Sequence, residues 1–445
     1  MNAISFALAQ LLIAGINLYL LGSIVHALLG WPLWVALIVA AAIVLSYITF
    51  GGLSAAIYNE VLQFFVIVAS LLPLVLLGLH RVGGWQGMVE RITAAASSAP
   101  AEAGMAPAAQ QLSSWPGQAL SGFDNPIISV IGIVFGLGFV LSFGYWTTNF
   151  VEVQRAMASE SLSAARKTPI IGAFPKMFVP FITIVPGMIA SVLVIEIAEL
   201  KAGGSPAGGS SGLGVTYNDA LLLMMRDLLP NGLIGLAITG LLAAFMAGMA
   251  ANVSAFNTVF SVDIWEHYVQ KNRPDEYYVK IGRFATVLAT VVAIFTALIA
   301  ASFSNIMDYL QTLFGFFNAP LFATFILGMF WKRMTPTAGW VGLVTGTLSA
   351  VFVWLLVQFG VFTLPGQGTA FLAASVGFVM DIAVSIVVSL MTTPKPSAQL
   401  KGLVYSETPK EDLIDPQEAA MPWYRRTMPL AAIALVMVTL LNFAF

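Results

Sequence analysis

Eleven apolar stretches, separated by short polar or turn-forming segments, organise the chain. They run over 3–29, 33–53, 58–80, 126–150, 169–198, 231–262, 281–302, 305–331, 336–361, 369–392 and 428–445. An α-helix needs about 20 apolar residues to cross a bilayer core, so each stretch predicts a membrane-spanning helix. The breaks have the expected chemistry. Gly30-Trp31-Pro32 predicts a tight turn, residues 81–125 a long Ala/Ser/Pro-rich loop, 201–214 a Gly/Ser-rich loop, and Lys271 to Asp275 a charged turn around Pro274. Residues 394–427 are polar and predict no domain of their own.

Composition narrows the class. Hydrophobic residues make up 59% of the 445 and charged residues 9%, where a soluble domain carries about 25% charge. A soluble fold, a disordered chain and a nucleic-acid binder are excluded. The chain reads as an all-α polytopic membrane protein, and the lipid bilayer is its first partner. Cysteine is absent, and His26, His80 and His267 lie far apart. No nucleophile–base or metal constellation appears, so no enzyme is expected. The first apolar run is too long for a cleavable signal and lacks a basic start. Alternating eleven spans places fourteen Lys and Arg on one side and Arg81, Arg91, Lys201 and Arg226 on the other. The positive-inside rule makes the richer side and the N-terminus cytoplasmic. The expected location is the cytoplasmic membrane.

Two spans carry helix-breaking chemistry. The fourth contains Gly132, Gly136, Gly138 and Gly144, followed by Tyr145-Trp146-Thr147-Thr148-Asn149; the eighth reads from Gln311 through Gly315 to Asn318 and Pro320. Glycine costs about 1 kcal/mol in a helix and proline about 3. Freed backbone groups at membrane depth need partners in protein or in a water-filled cavity. Broken helices of this kind build mid-membrane binding sites in transporters; close packing through small residues is the other reading. Polar residues inside spans carry the next signal. Lys176 either snorkels or lines a polar cavity, and Gln311 is either interfacial or in the same cavity. Asp381 either makes an interhelical hydrogen bond or serves as a proton or ion site. Glu60, at the start of the third span, either suits a helix dipole or couples to an ion.

The run Tyr145-Trp146 through Gln154-Arg155 resembles the YW…QR segment of sodium/solute symporters of the sugar-transporting, sodium/glucose cotransporter-like branch. Gly51-Gly52-Leu53-Ser54 through Val61-Leu62-Gln63 is similar to its GGL…VLQ segment. Tyr309-Leu310-Gln311, with Leu327-Gly328-Met329-Phe330-Trp331-Lys332-Arg333, is similar to a third, and Pro422-Trp423-Tyr424-Arg425-Arg426 to bacterial members. The resemblance covers nearly the whole chain. It implies the leucine-transporter-like inverted-repeat fold, with residues 1–80 as the remainder of the first repeat (three helices). Residues 81–125 are then an extracellular loop, 126–333 the second five-helix repeat and 334–445 peripheral helices. It further implies that Tyr145 is an aromatic gate over bound sugar with Trp146 its neighbour, and that Ser142, Lys176 and Gln311 are polar sugar contacts.

Two departures from the family pattern shape the expectations. About three helices that precede this start in the family are missing, which predicts weak or no coupled transport by residues 1–445. The family's sodium-binding positions fall on Ala244, Ala247 and Gly248, where adjacent serines are expected. A weakened sodium site follows, leaving sodium, a proton through Glu60 or Asp381, or no ion as the coupling species. The function expected is secondary transport of a small polar solute by alternating access, foremost a sugar. A transporter-derived sensor or regulatory subunit, or a symporter for monocarboxylates, amino acids or vitamins, is the alternative. Oligomeric state is not readable from the sequence.

Overall fold

The computed structural model describes residues 2–98, 107–113, 130–206, 214–303, 305–361, 363–364, 367–409, 411, 415, 418 and 420–444. Every regular element among them is helical. Eight helices are long and apolar enough to cross a membrane, and nine if a bent pair counts as one more span. The chain is therefore a multi-pass integral membrane protein, as its hydropathy predicts.

Helix α1 covers Asn2–Leu29 and α2 covers Leu33–Val82. The two predicted spans 33–53 and 58–80 are one 50-residue element bent at Gly52, whose φ of 58° and ψ of −153° leave the helical region. Glycine tolerates that backbone at no steric cost, so the chain turns without a loop. Residues 84–98 correct the loop prediction: Gly84–Ser98 forms α3, and Met88 and Ile92 are buried. Apolar positions at helical spacing outweighed the loop-like composition. Part of the predicted loop 81–125 lies outside the described residues.

The fourth predicted span is α4, Gly132–Thr148, followed by α5, Phe150–Met157, with a 41° bend between them. Residues 132–143 are wound as a π-helix. The fifth predicted span begins earlier than expected and is divided into α6 (Leu162–Lys176), α7 (Val179–Leu193) and α8 (Ile195–Lys201). Helix α9 (Ala220–Leu228) precedes α10, which runs from Leu233 to Val269. Then come α11 (Asp275–Ala300), α12 (Ile306–Phe330), α13 (Pro336–Gln358), α14 (Gly368–Met391) and α15 (Thr427–Ala444). Counting α2 as two arms and adding the short apolar α15 reconciles these elements with the eleven predicted spans.

The chain forms two compact units. One comprises residues 1–6, 113–175 and 310–445; the other comprises 7–112 and 176–309. In the first unit, α13 and α14 meet through glycines. A Cβ on Gly346 would lie 2.7 Å from the Gly377 carbonyl, and one on Gly342 would lie 1.9 Å from Ser385 Oγ. Such approach is how helices associate where lipid offers no hydrophobic drive. An aromatic cluster of Phe322, Phe371 and Phe378 fills the space beside them. In the second unit the core gathers Leu74, Val75, Met88, Ile189 and Met224 from α2, α3, α7 and α9.

Candidate functional site

In the first unit, the two predicted broken spans meet. Asn149 interrupts the fourth with extended backbone (φ −70°, ψ 125°). Its side-chain oxygen accepts from the Val151 amide at 2.9 Å, capping α5. A capping asparagine satisfies one of the amides that a helix start leaves free. The same side chain donates through Nδ2 to Asn318 Oδ1 at 3.3 Å. Asn149 and Asn318 are both buried. Asn318 closes a π-wound stretch, Phe314–Asn318, within α12. The two breaks are thus joined by a side-chain hydrogen bond, while the Asn149 side chain also satisfies a backbone amide freed at its own break.

Tyr145 and Phe314 face each other across this junction, with ring centroids 4.8 Å apart and planes inclined at 37°. Gly144 lets the segments approach: a Cβ there would lie 2.7 Å from Phe322 Cδ1. Gln311 sits one turn before Phe314 on α12, on a neighbouring face. Trp146 is half-buried, with its ring edge beside Gly172 of α6. Ser142 is exposed. The structure therefore groups Tyr145, Trp146 and Gln311 in one unit with two asparagines that the motif reading quoted without assigning a role. The signal for Asn149 was present: an asparagine directly before an amphipathic helix is a preferred N-cap.

Asp381 belongs to the same unit and is fully buried. Thr324 Oγ1 donates to its Oδ2 at 2.7 Å and Ser385 Oγ to its Oδ1 at 2.9 Å. The hydrogen bond from Thr324 ties α12 to α14, as one of the two sequence readings of this carboxyl anticipated.

The remaining predicted residues lie in the second unit. Lys176 is exposed at the end of α6, and Glu60 is half-buried on the second arm of α2. Ala244, Ala247 and Gly248 lie on α10 and present no side-chain oxygen. Beside them, a Cβ on Gly248 would fall 2.3 Å from Asn17 Oδ1 of α1, and Asn252 Nδ2 donates to the Gly248 carbonyl at 2.6 Å. A cavity of about 510 Å³ opens at the bend of α2. Thr49, Gly52, Asn257, Ser261, Arg283 and Thr286 are among its lining. Among the described residues, no group of three or more His, Cys, Asp or Glu is placed to hold a metal ion.

The model of the sodium:solute symporter family matches residues 3–346. A sodium/glucose cotransporter of Vibrio parahaemolyticus is 27% identical over 344 residues, 76% of this chain and 60% of its own. Human sodium/myo-inositol cotransporter 2 is 28% identical over 346 residues, 75% of this chain and 49% of its own. The chain thus spans about half to three-fifths of the length of these relatives. A solved structure of a Na+-coupled sialic acid symporter, in a substrate-bound outward-open state, superposes with a TM-score of 0.65 at 18% identity, covering 88% of this chain and 74% of that one. This likeness supports the leucine-transporter-like fold.

Proposed function

The chain belongs to the sodium:solute symporter family, and from that premise we propose that it binds and carries a sugar or similar polyol by alternating access, with sodium as co-substrate. Members of this family are transporters rather than enzymes. The observation that carries the proposal is the junction of the two broken spans, where Tyr145 lies against Phe314 and Asn149 against Asn318. A pyranose or inositol ring offers C–H faces to aromatic rings and hydroxyls to amides, and sites for such ligands combine the two. The named solutes of the relatives, glucose and myo-inositol, have that chemistry. In this reading Tyr145 closes over the solute with Trp146 beside it, and Gln311 and Ser142, of the same unit, meet its hydroxyls. The small-residue face of α10 at Ala244, Ala247 and Gly248 borders the sodium path, with its affinity lowered by the lack of serine hydroxyls. The N-terminus lies in the cytoplasm, and residues 1–80 and 126–333 belong to the two inverted repeats.

Equilibrium binding of radiolabelled glucose and myo-inositol to the purified chain in detergent tests the reading. Unlabelled hexose, inositol and a short carboxylate are the competitors. Hexose or inositol is expected to displace the label, and Tyr145→Ala and Gln311→Ala each to weaken binding about tenfold, or 1.4 kcal/mol. Displacement by the carboxylate alone, or binding indifferent to both substitutions, would overturn it.

A further inference from the structure

We infer that the cavity at the bend of α2 holds the headgroup of a phosphatidylethanolamine lipid, with Arg283 taking the phosphate and Glu266 and Asp275 the ammonium. The inference goes beyond the transport reading and uses only the membrane setting of the chain. The cavity lies within the second unit and measures about 510 Å³, inside the range of about 300–1,000 Å³ usual for ligand sites. The bend makes the room. Gly51 and Gly52 line it with bare backbone, and a Cβ on Gly52 would meet nothing within 4 Å. Part of the polar wall is already committed. Asn257 Nδ2 donates to Thr286 Oγ1 at 3.1 Å, Thr286 Oγ1 to the Gly282 carbonyl at 3.0 Å and Ser261 Oγ to the Asn257 carbonyl at 2.7 Å. Four other groups on the lining are not. Among the described residues, the side chains of Arg283, Glu266 and Asp275 make no ion pair or hydrogen bond, and Thr49 Oγ1 is buried with no hydrogen-bond partner.

Charge selects the occupant. A guanidinium is preorganised for two parallel hydrogen bonds to a phosphate. A primary ammonium carries three N–H donors, so it can bridge two carboxylates. A phosphate and an ammonium on one short linker, as in an ethanolamine headgroup, answer all three unpaired charges, and the Thr49 hydroxyl is left to donate to a phosphate or ester oxygen. A choline headgroup has no N–H to donate. A glycerol headgroup brings no cation and sets a further negative charge against the two carboxylates. Depth and rim favour a lipid over a free zwitterion. Helix α11 has 26 residues, about 39 Å at 1.5 Å per residue, against a hydrocarbon core of about 30 Å. Its surplus lies at the Asp275 end, where Asp275, Glu276, Lys280 and Arg283 are exposed, so the cavity opens at headgroup level. Phe50, Val262 and Val279 line the same cavity and are exposed, which gives acyl chains an apolar edge to follow.

Native mass spectrometry of the purified full chain is the test. The chain in detergent is titrated with dioleoyl phosphatidylethanolamine, phosphatidylcholine and phosphatidylglycerol, which share the same acyl chains. Wild type is expected to bind the ethanolamine lipid at least about tenfold more tightly than either of the others. Arg283→Gln should weaken that binding about tenfold. Glu266→Gln with Asp275→Asn should narrow the gap between the ethanolamine and glycerol lipids to about threefold or less. Lys280→Gln removes a cation of the same helix that does not line the cavity and should leave affinity and preference unchanged. Equal binding of the three lipids by wild type, a reading that needs no variant to fold, overturns the inference. So does Arg283→Gln binding like wild type, or Lys280→Gln weakening binding as much as Arg283→Gln, which would mean adsorption to a basic face. Displacement of the lipid by an equal concentration of water-soluble glycerophosphoethanolamine would replace the lipid by a free zwitterion and overturn it as well.

Discussion

Replacing Asp381 by alanine removes a fully buried carboxyl from the interior of the first unit. Three helices feel the change. Thr324 of α12 loses the acceptor it holds at 2.7 Å, and Ser385 of α14 loses the one at 2.9 Å. The single hydroxyl proton of Ser385 is shared with the Ala338 carbonyl of α13 at 3.3 Å, so it keeps an acceptor when the carboxyl is gone. Hydrogen bonds between membrane helices contribute about 0.6 kcal/mol on average and about 1.7 at most. The hydroxyl of Thr324 can turn back to its own helix, so its penalty stays near the mean. The vacated space adds to the cost. A Cβ on Gly342 would lie 2.6 Å from Asp381 Oδ1, so the wall there is glycine with no side chain to move in. A void of a few heavy atoms adds about 1–2 kcal/mol, for a total near 2–3 kcal/mol. Asp381→Asn keeps shape and one oxygen, so about 1 kcal/mol or less is expected. Unfolding in mixed micelles titrated with sodium dodecyl sulfate, followed by tryptophan fluorescence, reads both variants. Alanine within about 0.5 kcal/mol of wild type, or asparagine as damaging as alanine, would refute this account.

Three further outcomes follow from the geometry. Asn149→Ala removes the cap of α5 and the link to Asn318; a loss of about 1–2 kcal/mol is expected, with faster hydrogen exchange at the Val151 amide by mass spectrometry as the local readout. Gly144→Ala places a Cβ 2.7 Å from the Phe322 ring and should cost about 1–3 kcal/mol, and a double-mutant cycle with Phe322→Ala should show the cost shrinking when the ring is gone. Glu196, past the observed end of the Leu162–Leu193 span, is held below the ordinary carboxylate range by its hydrogen bond from Arg226, at 2.8 Å. A lowered pKa in the folded state means that its contribution is present above the unfolded value and is lost as pH falls through the folded value; Glu196→Gln should abolish that acid-range component in an unfolding titration, and an unchanged pH slope would count against it.

Much of this molecule was legible in the chain. Spans, loops and the polytopic all-α class follow from hydropathy, because lipid permits only helices whose backbone bonds are internal. The breaks in the fourth and eighth spans were visible from glycine, asparagine and proline, and the fused motifs pointed to the family that residues 3–346 match. Helix α3 was hidden because its small residues also suit a loop, and only burial of Met88 and Ile92 separates the two. The single kinked helix over 33–82 was hidden because one glycine with positive φ and a short loop look alike in sequence.

The pairings were not legible at all. Asn149 with Asn318 and Thr324 with Asp381 join residues 169 and 57 positions apart. The approach of Asn17 to Gly248 spans a still longer stretch of chain. Local composition sets where a helix forms, bends or ends, since those depend on neighbours within a turn or two. Which polar side chain answers which break depends on the faces that packed helices turn to each other. That choice is made by close contact between backbones distant in sequence, so it exists only in the folded protein.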